Sequence, residues 1–168
     1  MKVTDVKDFD LFFFRPTGIL GKIVSWWTGS EYCHVGMVYG SYLLEYREFR
    51  GFRSKQWLEV LAEWDYRVDV YRVSTILNPN HRINILNAFY RLKKEYGWCH
   101  AILAGLLRRF PRSFLNWEST KNPPQCAEAV CYAFRVGAGI DLVPDKCDWK
   151  STPEDIVCGG LVEKIGSV

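Results

Sequence analysis

Apolar and polar positions recur along the chain with two different periods, and these periods predict where its strands and helices lie. Runs of β-branched and aromatic residues bounded by Gly or Pro are typical of strands, whereas apolar residues every three or four positions are typical of helices. The strand pattern covers residues 8–15, 34–39, 42–48 and 67–73. The helical pattern covers residues 19–27, 80–96, 99–110, 126–136 and 153–157, the last helix being capped by Thr152.

The order of these elements indicates the fold class. Strands dominate the first half of the chain and helices the second, with little alternation of strand and helix. This order favours an α+β fold, in which an antiparallel sheet packs against helices, over a doubly wound parallel sheet. We find no internal repeat, low-complexity tract or linker, so residues 1–168 are expected to form one domain.

The segment around His34 predicts a hairpin with a functional pair of side chains. The strands at 34–39 and 42–48 are separated by Gly40-Ser41, the length of a two-residue turn. Such a turn sets Glu45 across from Gly36 and diagonal to His34, about 7–8 Å apart at the backbone. Glu45 could then hold the imidazole in one tautomer and stabilise its charged form. The alternative is a surface histidine beside an exposed glutamate.

Cys126 is predicted to lie in the first turn of a helix. Pro123 is extended because Pro124 follows it, so the helix cannot begin earlier than Pro124. In the first turn, free backbone N–H groups and the positive end of the helix dipole face the thiol. The alternative is an apolar core residue on one side of the helix with Ala129 and Val130.

A nucleophilic Cys126 requires a histidine partner. The helix dipole contributes only about 0.3–1 kcal/mol, which leaves most of a free thiol protonated at neutral pH. A neighbouring imidazolium supplies the missing stabilisation of the thiolate. The chain has three histidines, His34, His81 and His100, and only His34 comes with a candidate orienting acid.

Composition narrows the classes of function. A net charge of +3 without a basic stripe argues against a nucleic-acid partner, and the aromatic content of 15% fits either a dense core or a substrate groove. The first ten residues carry acids where a signal peptide would be apolar, so we expect a cytoplasmic protein with reduced thiols. The six cysteines include no C-x-x-C pair, and the adjacent Cys-His pairs at 33–34 and 99–100 do not have structural-zinc spacing. We therefore expect neither metal nor cofactor.

Several segments, in order along nearly the whole chain, resemble the circularly permuted papain-like proteins of the NlpC type, specifically the bacterial YiiX and YebB-like group. These proteins share an N-terminal strand, a Thr-Gly-Ser string before a hairpin histidine, a helix beginning with cysteine, and a closing Thr-Pro element. The corresponding segments here are residues 10–15, 28–30, 32–36, 126–130 and 151–156. The order is permuted because the histidine strand precedes the cysteine helix. Cys33 stands where Ser or Thr is usual, and Ala127 where Ser is commoner.

The resemblance implies a permuted papain-like fold and a role for each site residue. Cys126 would be the nucleophile, His34 the general base and Glu45 the third member of a triad. The Cys126 backbone N–H would form part of an oxyanion hole. Tyr32, expected at the rim beside the base, and Gln125, just before the nucleophile, are the candidate substrate-binding residues.

Thiolate attack on a carbonyl would give an acyl-enzyme that water hydrolyses. Relatives implied by the resemblance cut amide bonds of bacterial cell-wall peptides, which is the first interpretation. A lipid ester or amide hydrolase or acyltransferase of the lecithin retinol acyltransferase type is the alternative, and a non-catalytic binding module on the same fold is a third.

Contact with other surfaces and the route to a target stay open. The cationic, aromatic run at 106–117 fits either an anionic polymer or membrane surface, or a solvated helix face. A cell-wall target would need release by phage lysis or a dedicated secretion route. The sequence makes no prediction of oligomeric state.

Overall fold

The computed structural model describes residues 5–47, 51–63, 67–92, 125–146 and 148–168. The predicted helix at 99–110, the cationic run at 106–117 and the end of the helix predicted at 80–96 lie outside these residues. The elements in chain order are β1 (Leu11–Phe14), α1 (Ile19–Thr28), β2 (His34–Tyr39), β3 (Tyr42–Arg47), β4 (Gly51–Gln56), α2 (Trp57–Glu63), β5 (Val68–Val73), α3 (Pro79–Arg91), α4 (Cys126–Ala138), a short 3-10 helix (Asp148–Lys150), α5 (Pro153–Cys158) and β6 (Val162–Ser167).

The six described strands form one sheet with the order β4-β3-β2-β1-β5-β6, and every neighbouring pair is antiparallel. The predicted α+β class is therefore confirmed. β1 lies inside the sheet between β2 and β5, and all four of its residues are buried. Its sequence, Leu-Phe-Phe-Phe, suits a strand that is covered on both faces, because apolar side chains then gain from burial on either side.

Helices cover both faces of the sheet. On one face, α3 and α4 enclose a core that includes Phe13, Met37, Phe89 and Phe134. On the other face, a smaller cluster forms around Trp57 of α2, whose ring meets Phe12 edge-on with 5.7 Å between centroids. The sheet thus presents two buried surfaces, and alternate residues of the central strands point to different layers.

β4, α2 and β6 were not predicted. β4 and β6 are the two edge strands, and their sequences, Gly-Phe-Arg-Ser-Lys-Gln and Val-Glu-Lys-Ile-Gly-Ser, carry polar side chains at several positions. An edge strand takes its stability from one neighbour and exposes polar groups, so its apolar pattern is weak. β6 is fixed through Asp69 of β5, which receives hydrogen bonds from Ser167 Oγ at 2.5 Å and Lys164 Nζ at 2.8 Å.

The helix predicted at 19–27 is confirmed as α1, which ends before Gly29 in the left-handed conformation at φ 63°. Its apolar side does not face the core: Ile19, Ile23 and Trp26 are 79%, 54% and 62% exposed. Among the described helices, none has both the length and the apolar run needed to cross a membrane.

Gly137 allows α3 and α4 to approach closely, and its replacement tests the packing. A Cβ at this position would lie 2.4 Å from Ile85 N and 2.5 Å from Ile85 Cα. Alanine favours the helix over glycine by about 1 kcal/mol, whereas the clash of its Cβ with Ile85 disfavours the folded state. The two effects on stability therefore oppose each other. We expect Gly137→Ala to lower the free energy of unfolding by about 1–3 kcal/mol in urea denaturation.

Gly18→Ala is the control, since an added Cβ there meets no atom within 4 Å. As the residue before α1, it should cost less than about 1 kcal/mol. A Gly137→Ala protein that is more stable than the parent would contradict the close helix contact.

Candidate catalytic site

The hairpin of β2 and β3 has the predicted register. Gly40 occupies the turn with φ 56°, a conformation that glycine adopts without strain. The cross-strand pairs that follow from this turn are Met37–Leu44, Val38–Leu43 and Tyr39–Tyr42. Because side chains alternate between faces, His34 and Glu45 lie on the same face of the sheet, the face covered by α2.

His34 and Glu45 form a buried hydrogen bond. Nε2 of His34 lies 2.8 Å from Oε2 of Glu45, and the two side chains are only 10% and 1% exposed. Gly36 leaves room for this contact, because a Cβ there would lie 2.9 Å from Leu43 Cδ1 and 3.3 Å from Glu45 Cβ. The carboxylate can therefore orient the imidazole and fix its tautomer.

Cys126 is the first residue of α4, and the predicted helix is confirmed. Gln125 precedes it in extended conformation and forms a capping box with Glu128. The thiol belongs to a residue that is 5% exposed, at the end of the helix where the backbone N–H groups have no preceding helical carbonyl. The Cys126 N–H is thus available to a ligand anion at this terminus.

The structure brings Cys126 to the imidazole of His34. Burial disfavours the charged ring, but the negative charge and hydrogen bonding of Cys126, together with Glu45, outweigh it and raise the pKa of His34 to about 10. Nδ1, the nitrogen that Glu45 does not use, is buried and has no hydrogen bond of normal geometry to any described residue. Cys126 and Glu45 are therefore the two partners of the ring, and the contact with Glu45 is the one with the geometry of a normal hydrogen bond.

Two arginines add positive charge around Glu45. Burial raises the pKa of this carboxyl, but the hydrogen bond and charge of His34, and the charges of Arg47 and Arg53, lower it below its ordinary value. Arg53 Nη1 lies 3.8 Å from Glu45 Oε1. Arg53 could not be predicted from the sequence, because β4 has no clear strand pattern and only its pairing with β3 places Arg53 opposite Glu45.

Tyr32 does not lie at the rim, which corrects the expectation of a substrate contact. It is 3% exposed, and its hydroxyl donates to Asp69 Oδ2 at 2.8 Å and lies 3.0 Å from the Tyr71 hydroxyl. Arg15 also donates to Asp69 at 3.0 Å. Tyr32 is buried because a polar network inside the sheet occupies its hydroxyl.

Gln125 is likewise committed to the protein and does not present its side chain to a ligand. Its Nε2 donates to the Ser151 carbonyl at 3.0 Å, and its backbone N–H donates to Glu128 Oε2 at 3.2 Å. The residue is 6% exposed. As the residue immediately before α4, it fixes the start of the helix and so the position of Cys126.

The remaining described cysteines and histidines do not join the site. Burial raises the pKa of Cys131, which lies deeper in α4, so its thiol stays protonated and inert. Cys33 Sγ donates to the Phe14 carbonyl at 3.4 Å. His81 lies at the start of α3, where its backbone N–H donates to Asn78 Oδ1.

Comparison with known proteins shows the fold alone. No protein-family model matches the chain. No curated protein matches it either. Among solved structures, the metalloprotein YiiX of Escherichia coli O157:H7 is similar with a TM-score of 0.69, at 13% sequence identity, over 96% of this chain and 97% of that one.

Removal of either the Glu45 carboxyl or the Cys126 thiol should lower the pKa of His34. In the parent, the imidazole is expected to stay charged to about pH 10. In Glu45→Gln and Cys126→Ser the titration midpoint of His34 should fall. Burial disfavours the charged imidazole, and each variant lacks one of the two groups that offset this cost. Histidine ring nitrogen NMR, with His34→Gln for assignment, measures the titration.

Cys131→Ser is the control, because it removes a buried thiol of the same helix without touching the His34–Glu45 pair, and should leave the midpoint unchanged. A parent His34 that titrates near the ordinary value of about 6.5 would contradict the arrangement.

Proposed function

We propose that this chain is a cysteine hydrolase of the permuted papain-like kind that cleaves an amide bond. One observation carries the proposal: the buried His34 is hydrogen-bonded through Nε2 to Glu45, while Cys126, at the N-terminus of α4, acts on the same ring. A nucleophile, a base and an orienting acid form a catalytic triad by virtue of their mutual geometry, whatever their order along the chain.

The residues divide the reaction between them. In the proposed resting state the thiol proton of Cys126 has already passed to His34, and the thiolate of this ion pair attacks the carbonyl carbon of the substrate. The N–H at the start of α4 stabilises the oxyanion of the tetrahedral intermediate. His34 then gives its proton to the leaving amine, and it activates the water that hydrolyses the acyl-enzyme. Glu45 stays ionised throughout and holds the ring in place.

A peptide of the bacterial cell wall, or a related amide, is the proposed substrate class. The resemblance of residues 28–36 and 126–130 to permuted papain-like proteins, relatives of which cut cell-wall peptides, supports it. The similarity to YiiX concerns the fold alone and adds nothing about the substrate.

A metal ion does not fit these residues. The YiiX neighbour is described as a metalloprotein. Here, Nε2 of His34 already has Glu45 Oε2 at 2.8 Å, so an ion at this nitrogen would have to displace that contact. In the described ranges, no three His, Cys, Asp or Glu side chains are grouped so that they could share an ion. No step of the proposed reaction passes through a metal.

Thiol reactivity separates an activated Cys126 from an ordinary core cysteine. Cys126 is buried and Cys158 is exposed, so accessibility alone predicts that Cys158 reacts first. If His34 stabilises the Cys126 thiolate, iodoacetamide at about pH 6 should label Cys126 first, and His34→Ala should abolish this preference. Mass spectrometry of the alkylated peptides measures the order. Preferential labelling of Cys158 in the parent would contradict the proposal.

Hydrolysis of a short cell-wall peptide tests the reaction itself. We expect Cys126→Ser to lower kcat about 10³-fold or more and His34→Ala about 10²–10⁴-fold, with a smaller loss for Glu45→Gln because the carboxylate moves no proton. Cys131→Ser should keep the parent rate, and thermal melts check the folding of each variant. Parent-level turnover by Cys126→Ser would place the nucleophile elsewhere, and tight binding without cleavage would favour a binding module.

A lipid-directed ester or amide hydrolase is the second candidate, and α1 favours it. The exposed Ile19, Ile23 and Trp26 lie along one stripe of this helix, whose only charged residue is Lys22. An exposed apolar stripe that contains a tryptophan could enter the headgroup region of a membrane, and Lys22 would add attraction to anionic lipid. α1 adjoins the site, since a Cβ on Gly21 would lie 3.6 Å from the sulfur of Cys33, the neighbour of His34.

Vesicles test this candidate. The parent should sediment with vesicles that contain anionic phospholipid, and Ile23→Ser should weaken binding about 10-fold, because one buried apolar side chain is lost. Ile76→Ser is the matched control, since Ile76 is 91% exposed but lies outside α1. If the parent does not bind vesicles, or hydrolyses a lipid ester no faster with them, the lipid-directed candidate is excluded.

A further inference from the structure

Arg53 lies directly opposite Glu45 in the sheet. β4 pairs with β3 so that these two residues are cross-strand partners, and Arg53 Nη1 comes within 3.8 Å of Glu45 Oε1. The side chains are 17% and 1% exposed, so little water separates their charges. At this separation and burial, a cation has a much larger effect on a carboxylate than it would on the protein surface.

The two oxygens of Glu45 are in different situations. Oε2 receives the hydrogen bond from His34, whereas Oε1 is buried and has no hydrogen-bond partner among the described residues. A buried carboxylate oxygen without a donor is costly unless a positive charge lies nearby. Arg53 supplies that charge on the side of Glu45 away from His34.

We propose that Arg53 is a positioning residue of the site, which holds Glu45 as a carboxylate turned toward His34. The site then forms a chain of four groups, in which Cys126 contacts His34, His34 contacts Glu45, and Glu45 faces Arg53. Arg53 acts only through Glu45 and touches no substrate. Its role in catalysis rests on the proposed hydrolase function; its effect on Glu45 does not.

Among the described residues, the charged groups that face Glu45 come from three strands: His34 on β2, Arg47 on its own strand and Arg53 on β4. α2 closes the same layer with Trp57 and Val60, and its Glu59 pairs with Lys55 at 3.4 Å. Without Arg53, burial would work against the ionised carboxylate with less opposition, so the pKa of Glu45 would rise. Activity that needs an ionised Glu45 would then be lost at a higher pH as the solution is acidified.

Replacement of Arg53 by methionine, with lysine as the conservative variant, tests the inference. We expect Arg53→Met to shift the acid limb of the kcat profile upward by roughly one pH unit, with KM little changed. Arg53→Lys should shift it less, because a shorter ammonium keeps the charge without the guanidinium geometry. Lys55→Met, which removes a cation from the same strand and face but from a pair with Glu59, should leave the limb in place.

Carbon NMR of the Glu45 carboxyl, assigned with Glu45→Gln, gives a readout that does not depend on turnover. The carboxyl midpoint should rise in Arg53→Met by the same roughly one unit, and less in Arg53→Lys. An unchanged midpoint in a folded Arg53→Met protein, or in Arg53→Gln if the methionine variant does not fold, overturns the inference. If the parent protein shows no turnover that depends on Cys126, the proposed hydrolase function is wrong. The titration midpoint of the Glu45 carboxyl would still decide the role of Arg53.

Discussion

The buried pair of His34 and Glu45 is the interaction on which the candidate site depends. Two ionisable side chains in a nearly dry layer are tolerated only when they are paired, because an isolated buried charge costs several kcal/mol. Their 2.8 Å hydrogen bond depends on the hairpin register set at Gly40 and on the space at Gly36, and Arg53 lies 3.8 Å from the other carboxylate oxygen. A shift of one residue in the register would turn Glu45 to the other face and leave His34 without its partner.

The second half of the site is held by α4, which is fixed by contacts near both of its ends. Gln125 joins the start of this helix to Ser151, and Gly137 brings its other end against α3 at Ile85. The helix is therefore fixed at both ends, and the thiol of Cys126 has little freedom relative to the sheet. This rigidity suits a nucleophile, because small displacements of reacting groups reduce rates strongly.

The YiiX neighbour shows how far the fold and the chemistry can be separated. Thirteen per cent identity over almost the full length of both chains gives the same architecture, so a different set of side chains fills the same layers. A fold alone does not define a reaction. In this chain, three side chains and their environment support the proposed thiol chemistry.

Local signals in the sequence determined the elements that carry the site. The turn at Gly40-Ser41 predicted the hairpin register, and the prolines before Gln125 predicted the start of α4. Thr152 predicted the cap of α5. Each of these signals depends on the backbone preferences of a few adjacent residues.

Tertiary structure alone decided the rest. The edge strands β4 and β6 form because a neighbouring strand satisfies their backbone groups, so Arg53 could not be placed beside Glu45 beforehand. Tyr32 is buried and Ile23 is exposed because of the elements that pack, or do not pack, against each side chain. A local sequence pattern does not specify these contacts.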